Sequence, residues 1–342
     1  MNTKTAIIIS PMPLHPIKSG MQNTINLLCK FLREKNYKIF FFEIKTNSKI
    51  DPILDLKKKR KYVLKLKKKI KEIKNLKFIF VNTSKVLFQY KSLLLNKKRN
   101  FKTVLVCHDL YYFRKKYFDK IRIKDKTNLK NVDEVNILKK TDYIIDFKKT
   151  EFDFMLKNKI SSKKLKKTYT PTLKFKKINF SKKKYDLLYV SSNWLQNHHS
   201  MKNFLKKIDK TNFAYNILVL GNLKLKKQKN IDVRPYSKKM FNKCKIGLAV
   251  MKDSTGRQTK IFEMLSAGLP VFTNIDLAEF GLKKDKHYKF FDKKKNLVNE
   301  IKTLNDDESL RKKLSQNAYN WSLNNTFYRK AFKSLNQILA RN

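Results

Sequence analysis

The sequence predicts an α/β chain of two units, each a parallel sheet flanked by helices. Three observations carry that prediction. Apolar runs of strand length alternate with segments of helical period, the alternation breaks once in a stretch of lysine, serine and threonine, and it then starts again. The 342 residues suffice for two domains of about 150 to 200 residues, each with its own core.

The first unit opens on the apolar run TAIIIS and the turn-rich loop PMPLHPIKSG, after which Met21, Ile25, Leu28 and Leu32 recur at helical spacing. Asn36 stops that helix and KIFFFEI supplies a second strand, so strand, loop, helix and strand form a βαβ unit. LKFIFVN, KTVLVCH and DYIIDF continue the series. Residues 157–184 are rich in lysine, serine and threonine around Pro171, which places the boundary there. Alternation resumes with the strands YDLLYVSS, YNILVLGN, KIGLAVM and LPVFTN, and SMKNFLKKI fits a helix between the first two. The end, from Leu310 to Leu339, reads as one or two helices. The division expected is 1–165, a linker at 166–184, a second unit at 185–325, and a closing helix at 326–342 packing back toward the first unit. Between residues 54 and 77 lies a basic helix with Leu56, Val63, Leu66, Ile70 and Ile73 near heptad spacing. It reads as a surface helix, or as an interfacial anchor on anionic lipid.

Composition narrows the class. No apolar run reaches the roughly 18 residues a spanning helix requires, and prolines break the short apolar start, so neither a transmembrane segment nor a signal peptide is expected. Cys29, Cys107 and Cys244 show no metal or redox spacing, nor do the five histidines form a ligand motif, so no metal site is expected and the thiols fit a reducing cytoplasm. The formal net charge of +54 comes mostly from lysine, spread over nearly every segment. A nucleic-acid binder would instead concentrate arginine and interleave aromatics, so no dedicated nucleic-acid role is expected, although the surface will attract polyanions, including an anionic membrane.

The stretch DSTGRQTKIFEMLSAGLPVFTN, 253–274, holds the candidate chemistry. Ser254 and Thr255 are good helix caps, so a helix is expected to begin near Gly256, at the carboxyl edge of the sheet where α/β folds bind ligands. Free N–H groups and the helix dipole favour an anion there, and Gly256 allows close approach. Arg257 adds a forked donor and Lys260 a point charge, a pair suited to a diphosphate. Glu263 shares a helix face with Lys260 and would reach vicinal hydroxyls such as a ribose diol. Alternatively, Lys260 and Glu263 form an i, i+3 surface pair, Gly268 a helix stop and Pro270 a terminator.

The order G-x-x-x-K-x-x-E-x-x-x-x-G-x-P-V resembles the donor-binding segment of retaining glycosyltransferases of the GT-B fold, family 4 and its relatives. DLAEFGL, 276–282, looks like that family's loop after the next strand, SPMPLHPIKSG is similar to its proline-rich loop, and VLVCHDL to its strand ending in His-Asp. YVSSNWLQNHHSMKNFLKKI resembles the first strand and helix of its nucleotide-sugar domain. The resemblance implies two Rossmann-like domains facing each other across a cleft. It implies transfer of a sugar from a nucleotide diphosphate sugar, the co-substrate, to the hydroxyl of a glycan or lipid-linked acceptor, without a cofactor. Envelope polysaccharide or lipopolysaccharide assembly, in the cytoplasm or peripheral on the inner face of the membrane, is the implied setting.

By the same resemblance Glu263 holds the ribose, Lys260 and Arg257 face the diphosphate, and Ser19 and Gly20 close over the phosphates. His108 contacts the transferred sugar or the acceptor, while Glu279 and the backbone of Phe280 and Gly281 line the sugar pocket. His108 could equally be a capping histidine beside Asp109. The chain departs from the pattern twice. Thr255 stands where many members carry a second glutamate, and the loop after the second unit's first strand has Ser192, Asn197 and His198 where an arginine and a lysine are usual, with Lys202 the nearest cation. Two other readings compete: a weak or inactive basic protein of this fold that binds a polyanion, and a nucleotide-sugar epimerase.

Overall fold

The computed structural model describes residues 3–340 apart from 18, 45–55, 121–128, 176–178, 181–182, 192–194, 209–213, 226–229, 252–257 and 293–294, and apart from the side chains of 56–59 and 195–196.

The first six strands build one parallel sheet. They are β1 (Thr5–Ser10), β2 (Lys38–Glu43), β3 (Leu76–Asn82), β4 (Lys102–Val106), β5 (Tyr143–Asp146) and β6 (Leu165–Lys167), in the spatial order β2-β1-β3-β4-β5-β6. Strand β6 lies in the stretch whose composition reads as a connector. Its three residues are too short and too basic to announce a strand, and pairing with β5 makes them one. The connecting helices are α1 (Gly20–Glu34), α2 (Leu56–Glu72), α3 (Ser84–Gln89), α4 (Lys91–Leu94), α5 (Tyr111–Lys120), α6 (Asn131–Lys140) and α7 (Lys149–Lys157). Ile7, Ile9, Ile79 and Val81 point into a core on one face, while Ala6, Ile8, Phe78 and Phe80 point into a core on the other. Both faces of this sheet are covered, which is why its strands are continuously apolar rather than alternating.

The second sheet has the order β12-β11-β10-β7-β8-β9, again parallel. Its strands are β7 (Tyr185–Ser191), β8 (Ile217–Gly221), β9 (Ile231–Arg234), β10 (Cys244–Ala249), β11 (Val271–Thr273) and β12 (Lys289–Phe290). Its helices are α8 (Leu195–Ile208), α9 (Thr259–Ser266), α10 (Leu297–Asp306) and α11 (Glu308–Asn325). The chain then turns back: Thr172 N–H donates to Thr326 O and Tyr328 N–H donates to Thr172 O. Two short helices follow, α12 (Tyr328–Ala331) and α13 (Asn336–Ala340). Tyr328, Phe332, Leu335, Ile338 and Leu339 fill the core between the first sheet and α1, and Arg329 grips Glu34 with two hydrogen bonds.

The basic helix α2 packs its apolar stripe inward: Leu66 is buried, with Tyr62, Val63 and Ile70 against the same core. Among the described residues no helix is long and apolar enough to cross a membrane.

Candidate active site

Each sheet reverses its strand order beside its first strand, between β1 and β3 in one and between β7 and β10 in the other. Ligands of open α/β sheets bind at such switch points, beyond the strands' carboxyl ends. In the first sheet, Asn82 at the end of β3 donates to Ser10 Oγ at the end of β1 over 3.0 Å, bracing the two strand ends. The loop after β1 leads to Ser19, whose Oγ caps α1 by accepting from Gln22 N–H at 3.2 Å. Gly20, the first residue of α1, meets α9 of the second unit: a Cβ built there would lie 2.0 Å from Thr259 Oγ1. The absence of a side chain at Gly20 is what allows the two units to come this close.

Helix α9 follows β10 at the other switch point and begins at Thr259, with Gln258 as its cap. That is later than the expected start near Gly256. Ser254, Thr255, Gly256 and Arg257 lie outside the described residues, as does Ser192 after β7. Lys260, in the first turn of α9, donates from Nζ to Asn197 Oδ1 at 3.1 Å and lies 4.9 Å over the ring of Tyr189. Asn197 comes from α8 and Tyr189 from β7, so the cation sits at the switch point itself. Among the described residues no carboxylate pairs with it, and burial pushes its ammonium down to about 8.

One turn on, Glu263 is buried. Its Oε1 accepts from Asn23 Nδ2 at 3.0 Å, across the two units, and its Oε2 accepts from the Tyr236 hydroxyl at 2.8 Å. Lys238 Nζ lies 3.9 Å from Oε1. Burial pushes the Glu263 carboxyl above its ordinary range, while Lys238 and the Tyr236 hydrogen bond pull the other way. Lys260 and Glu263 therefore do not form a surface pair; each faces inward to different partners.

His108 stands just past β4, buried, with its ring stacked on Phe147 at 6.2 Å between centroids. Asp109 beside it is held by Arg114 through two hydrogen bonds of 2.9 and 2.8 Å. The buried carboxylate of Glu134 organises the turn that follows, accepting from Tyr111 N–H at 2.8 Å, Tyr112 N–H at 2.9 Å and Ser84 Oγ at 2.5 Å.

The loop expected to line a sugar pocket is engaged otherwise. Glu279 Oε2 accepts from the Lys149 N–H at the start of α7, 3.1 Å away on the first unit. The N–H groups of Phe280 and Gly281 donate to Leu277 O and Ala278 O within their own turn, so neither is aimed at a ligand. The Phe280 ring packs edge-on against Phe262 in the core. A short helical turn, with Gly281 closing it at φ +79, consumes the amides that the motif alone leaves available.

Of the expected residues, then, Gly20, Lys260 and Glu263 lie around the contact between α1 and α9, with Ser19 capping the helix that carries Gly20, and Glu279 lies on a second contact between the units. Asn23, Tyr189, Tyr236 and Lys238 join them from outside the motif, Asn23 from α1, Tyr189 from β7, and Tyr236 and Lys238 from the segment after β9. Asn197, noted only as a departure, is the lysine's partner.

Residues 197–337 match the family described as glycosyl transferase-like. No curated protein matches the chain in sequence. Among solved structures, sucrose-phosphate synthase from Thermosynechococcus elongatus superposes with a TM-score of 0.77 at 11% identity, over 99% of this chain and 98% of that one. HepE from Anabaena, solved with UDP and glucose, gives 0.71 at 11% identity, over 99% and 100%. The lipopolysaccharide outer core galactosyltransferase WaaB gives 0.63 at 13% identity, over 99% and 100%. At these identities the likeness establishes the architecture, two parallel-sheet units of the GT-B type. Residues 197–337 are thus similar to the glycosyl transferase-like family, and the fold of the chain is that of the GT-B glycosyltransferases.

Proposed function

We propose that this GT-B glycosyltransferase, of the family 4 kind, moves a sugar from a nucleotide diphosphate sugar to an acceptor hydroxyl with retention of anomeric configuration. The observation that carries the reading is Lys260: a half-buried ammonium at the sheet's switch point, with a neutral amide and a ring face as its described partners. A cation so placed is complemented by an anion from outside the chain, and a diphosphate has the charge and size. Glu263, one turn deeper, is the group for ribose hydroxyls, and Gly20 faces the same helix from the opposite unit.

Charge developing on the departing diphosphate is stabilised by Lys260, with Arg257 as the second cation, and no cofactor is required in this scheme. His108, at the carboxyl edge of the first sheet, serves the transferred sugar or the acceptor. Closure of the two units excludes water and limits hydrolysis of the donor. A glycan or lipid-linked acceptor in envelope polysaccharide or lipopolysaccharide assembly fits the kind of reaction named for WaaB, and the lysine-rich surface suits peripheral contact with an anionic membrane.

Thermal shift with the diphosphates of uridine, guanosine and adenosine tests the reading. One of them is expected to raise the unfolding midpoint in proportion to the logarithm of its concentration, and Lys260→Ala and Glu263→Ala are expected to abolish the rise. Equal small shifts with all three, erased by salt, would instead indicate a nonspecific polyanion site.

A further inference from the structure

Glu263 is held from three directions. Asn23 reaches it from α1, while Tyr236 and Lys238 come from the segment after β9. That segment is itself anchored. The Tyr236 ring lies edge-on to Phe241 at 6.4 Å, Phe241 stacks with Phe175 at 6.4 Å, and Lys238 Nζ lies 4.9 Å over Phe175. Phe175 belongs to the connection between the units, and its carbonyl accepts from the Tyr319 hydroxyl at 2.9 Å. An aromatic cage thus sets the position of one hydroxyl and one ammonium against a carboxylate that has little access to water.

We infer that Tyr236, with Lys238 beside it, is a positioning residue for Glu263, fixing the direction of its carboxylate so that it can accept from two hydroxyls of a ligand. A carboxylate offers about four acceptor sites, two on each oxygen. Asn23 takes one on Oε1 and Tyr236 one on Oε2, which leaves one site on each oxygen for a vicinal diol. Without the tyrosine hydroxyl the side chain could rotate, and the low-dielectric surroundings would favour its protonated form, which accepts less well and presents a donor instead. Of the charged and titratable groups around Glu263 among the described residues, Lys238 and Tyr236 are the ones that act on its carboxyl; Lys260 on its own helix is turned to Asn197, and α11 packs Trp321 against the neighbouring Phe262. Neither Tyr236 nor Lys238 falls in the motif that marks α9, so the Glu263 carboxylate and its support are encoded in separate parts of the chain.

The inference rests on the nucleotide reading only for the identity of the diol, so its test has two arms. The first uses the free protein. Carboxyl carbon-13 NMR of glutamate-labelled protein, with Glu263 assigned by its loss in Glu263→Gln, is expected to show the Glu263 midpoint moving to higher pH in Tyr236→Phe and in Lys238→Met. Midpoints equal to that of the unaltered protein in both variants overturn the proposal. Tyr236→Phe keeps the ring in its cage, so folding is preserved. The second arm titrates UDP calorimetrically. Tyr236→Phe should weaken binding more at pH 6.5 than at pH 8.5, since a raised carboxyl loses affinity only where its acid form accumulates. Equal weakening at both values would mean a structural role and would sink the positioning role. If neither UDP nor another nucleoside diphosphate binds the unaltered protein, the functional proposal fails while the first arm still decides this one.

Discussion

Asn23 and Glu263 are 240 positions apart in sequence and joined by a 3.0 Å hydrogen bond between the two units. The carboxylate that the family resemblance assigns to the ribose is therefore already part of the contact that brings the units together. Removing the amide leaves a buried carboxylate short of one donor. Asn23→Ala is expected to lower stability by about 1–3 kcal/mol. A double-mutant cycle with Glu263→Gln, read by urea unfolding, should give a coupling of about 1 kcal/mol; strict additivity would show that the contact contributes nothing.

Gly20 sets how closely the units can approach. A methyl group there would lie 2.0 Å from Thr259 Oγ1 and 2.5 Å from its Cβ, too near for either side to absorb. Gly20→Ala should cost about 1–3 kcal/mol by urea unfolding and lower transfer activity, because the cleft is held open. Adding Thr259→Gly should restore much of both; no recovery in the double variant would place the effect in α1 alone.

If Lys260 serves the proposed donor site, its charge sets an alkaline limit on binding there. Burial pushes its ammonium down to about 8, so the charge is complete below that pH and lost as pH rises through it. Affinity for the nucleoside diphosphate should fall above about pH 8. Lys260→Arg should remove that limb, since a guanidinium stays charged. Lys260→Ala should reduce kcat/KM by about two to three orders of magnitude, as loss of an electrostatic contact to developing charge does, with the unfolding midpoint unchanged or raised. A flat affinity profile from pH 7 to 10 in the unaltered protein would refute the role.

Glu134 links stability to pH. Burial raises its carboxyl from 4.5 to about 7, more than its hydrogen bonds to Ser84 and Tyr112 lower it. The folded state therefore holds a proton that the unfolded state releases between those values. The stabilising contribution of that proton is complete below about pH 4.5 and is lost as pH rises through about 7. Glu134→Gln should remove this dependence. The stability difference between unaltered protein and variant, from urea unfolding, should change by on the order of 2 kcal/mol between pH 4.5 and 7.5. A parallel pH dependence in the two proteins would contradict it.

Much of the architecture is legible in the amino-acid sequence. Runs such as TAIIIS and LKFIFVN are apolar at every position or nearly so because both faces of each sheet are covered, and that local property identifies buried parallel strands without tertiary knowledge. The glycine, lysine, glutamate and proline order around α9 likewise marks a helix whose lysine and glutamate face inward, because a helix fixes which side chains share a face. Three short strands, β6, β9 and β12, carry no such run, since their identity depends on a neighbour to pair with rather than on their own pattern.

By itself, then, the sequence determined two parallel-sheet units, the helix carrying Lys260 and Glu263, and the glycine-ended loop opposite. What only the tertiary structure decided is what those residues touch: Asn23 and Tyr236 on the glutamate, Asn197 and Tyr189 on the lysine, Lys149 on Glu279. The physical reason is range. Periodicity and capping act over a few residues and are written locally, whereas a hydrogen bond to a buried charge is satisfied by whichever donor the packing of distant elements delivers, and no spacing in the chain records it.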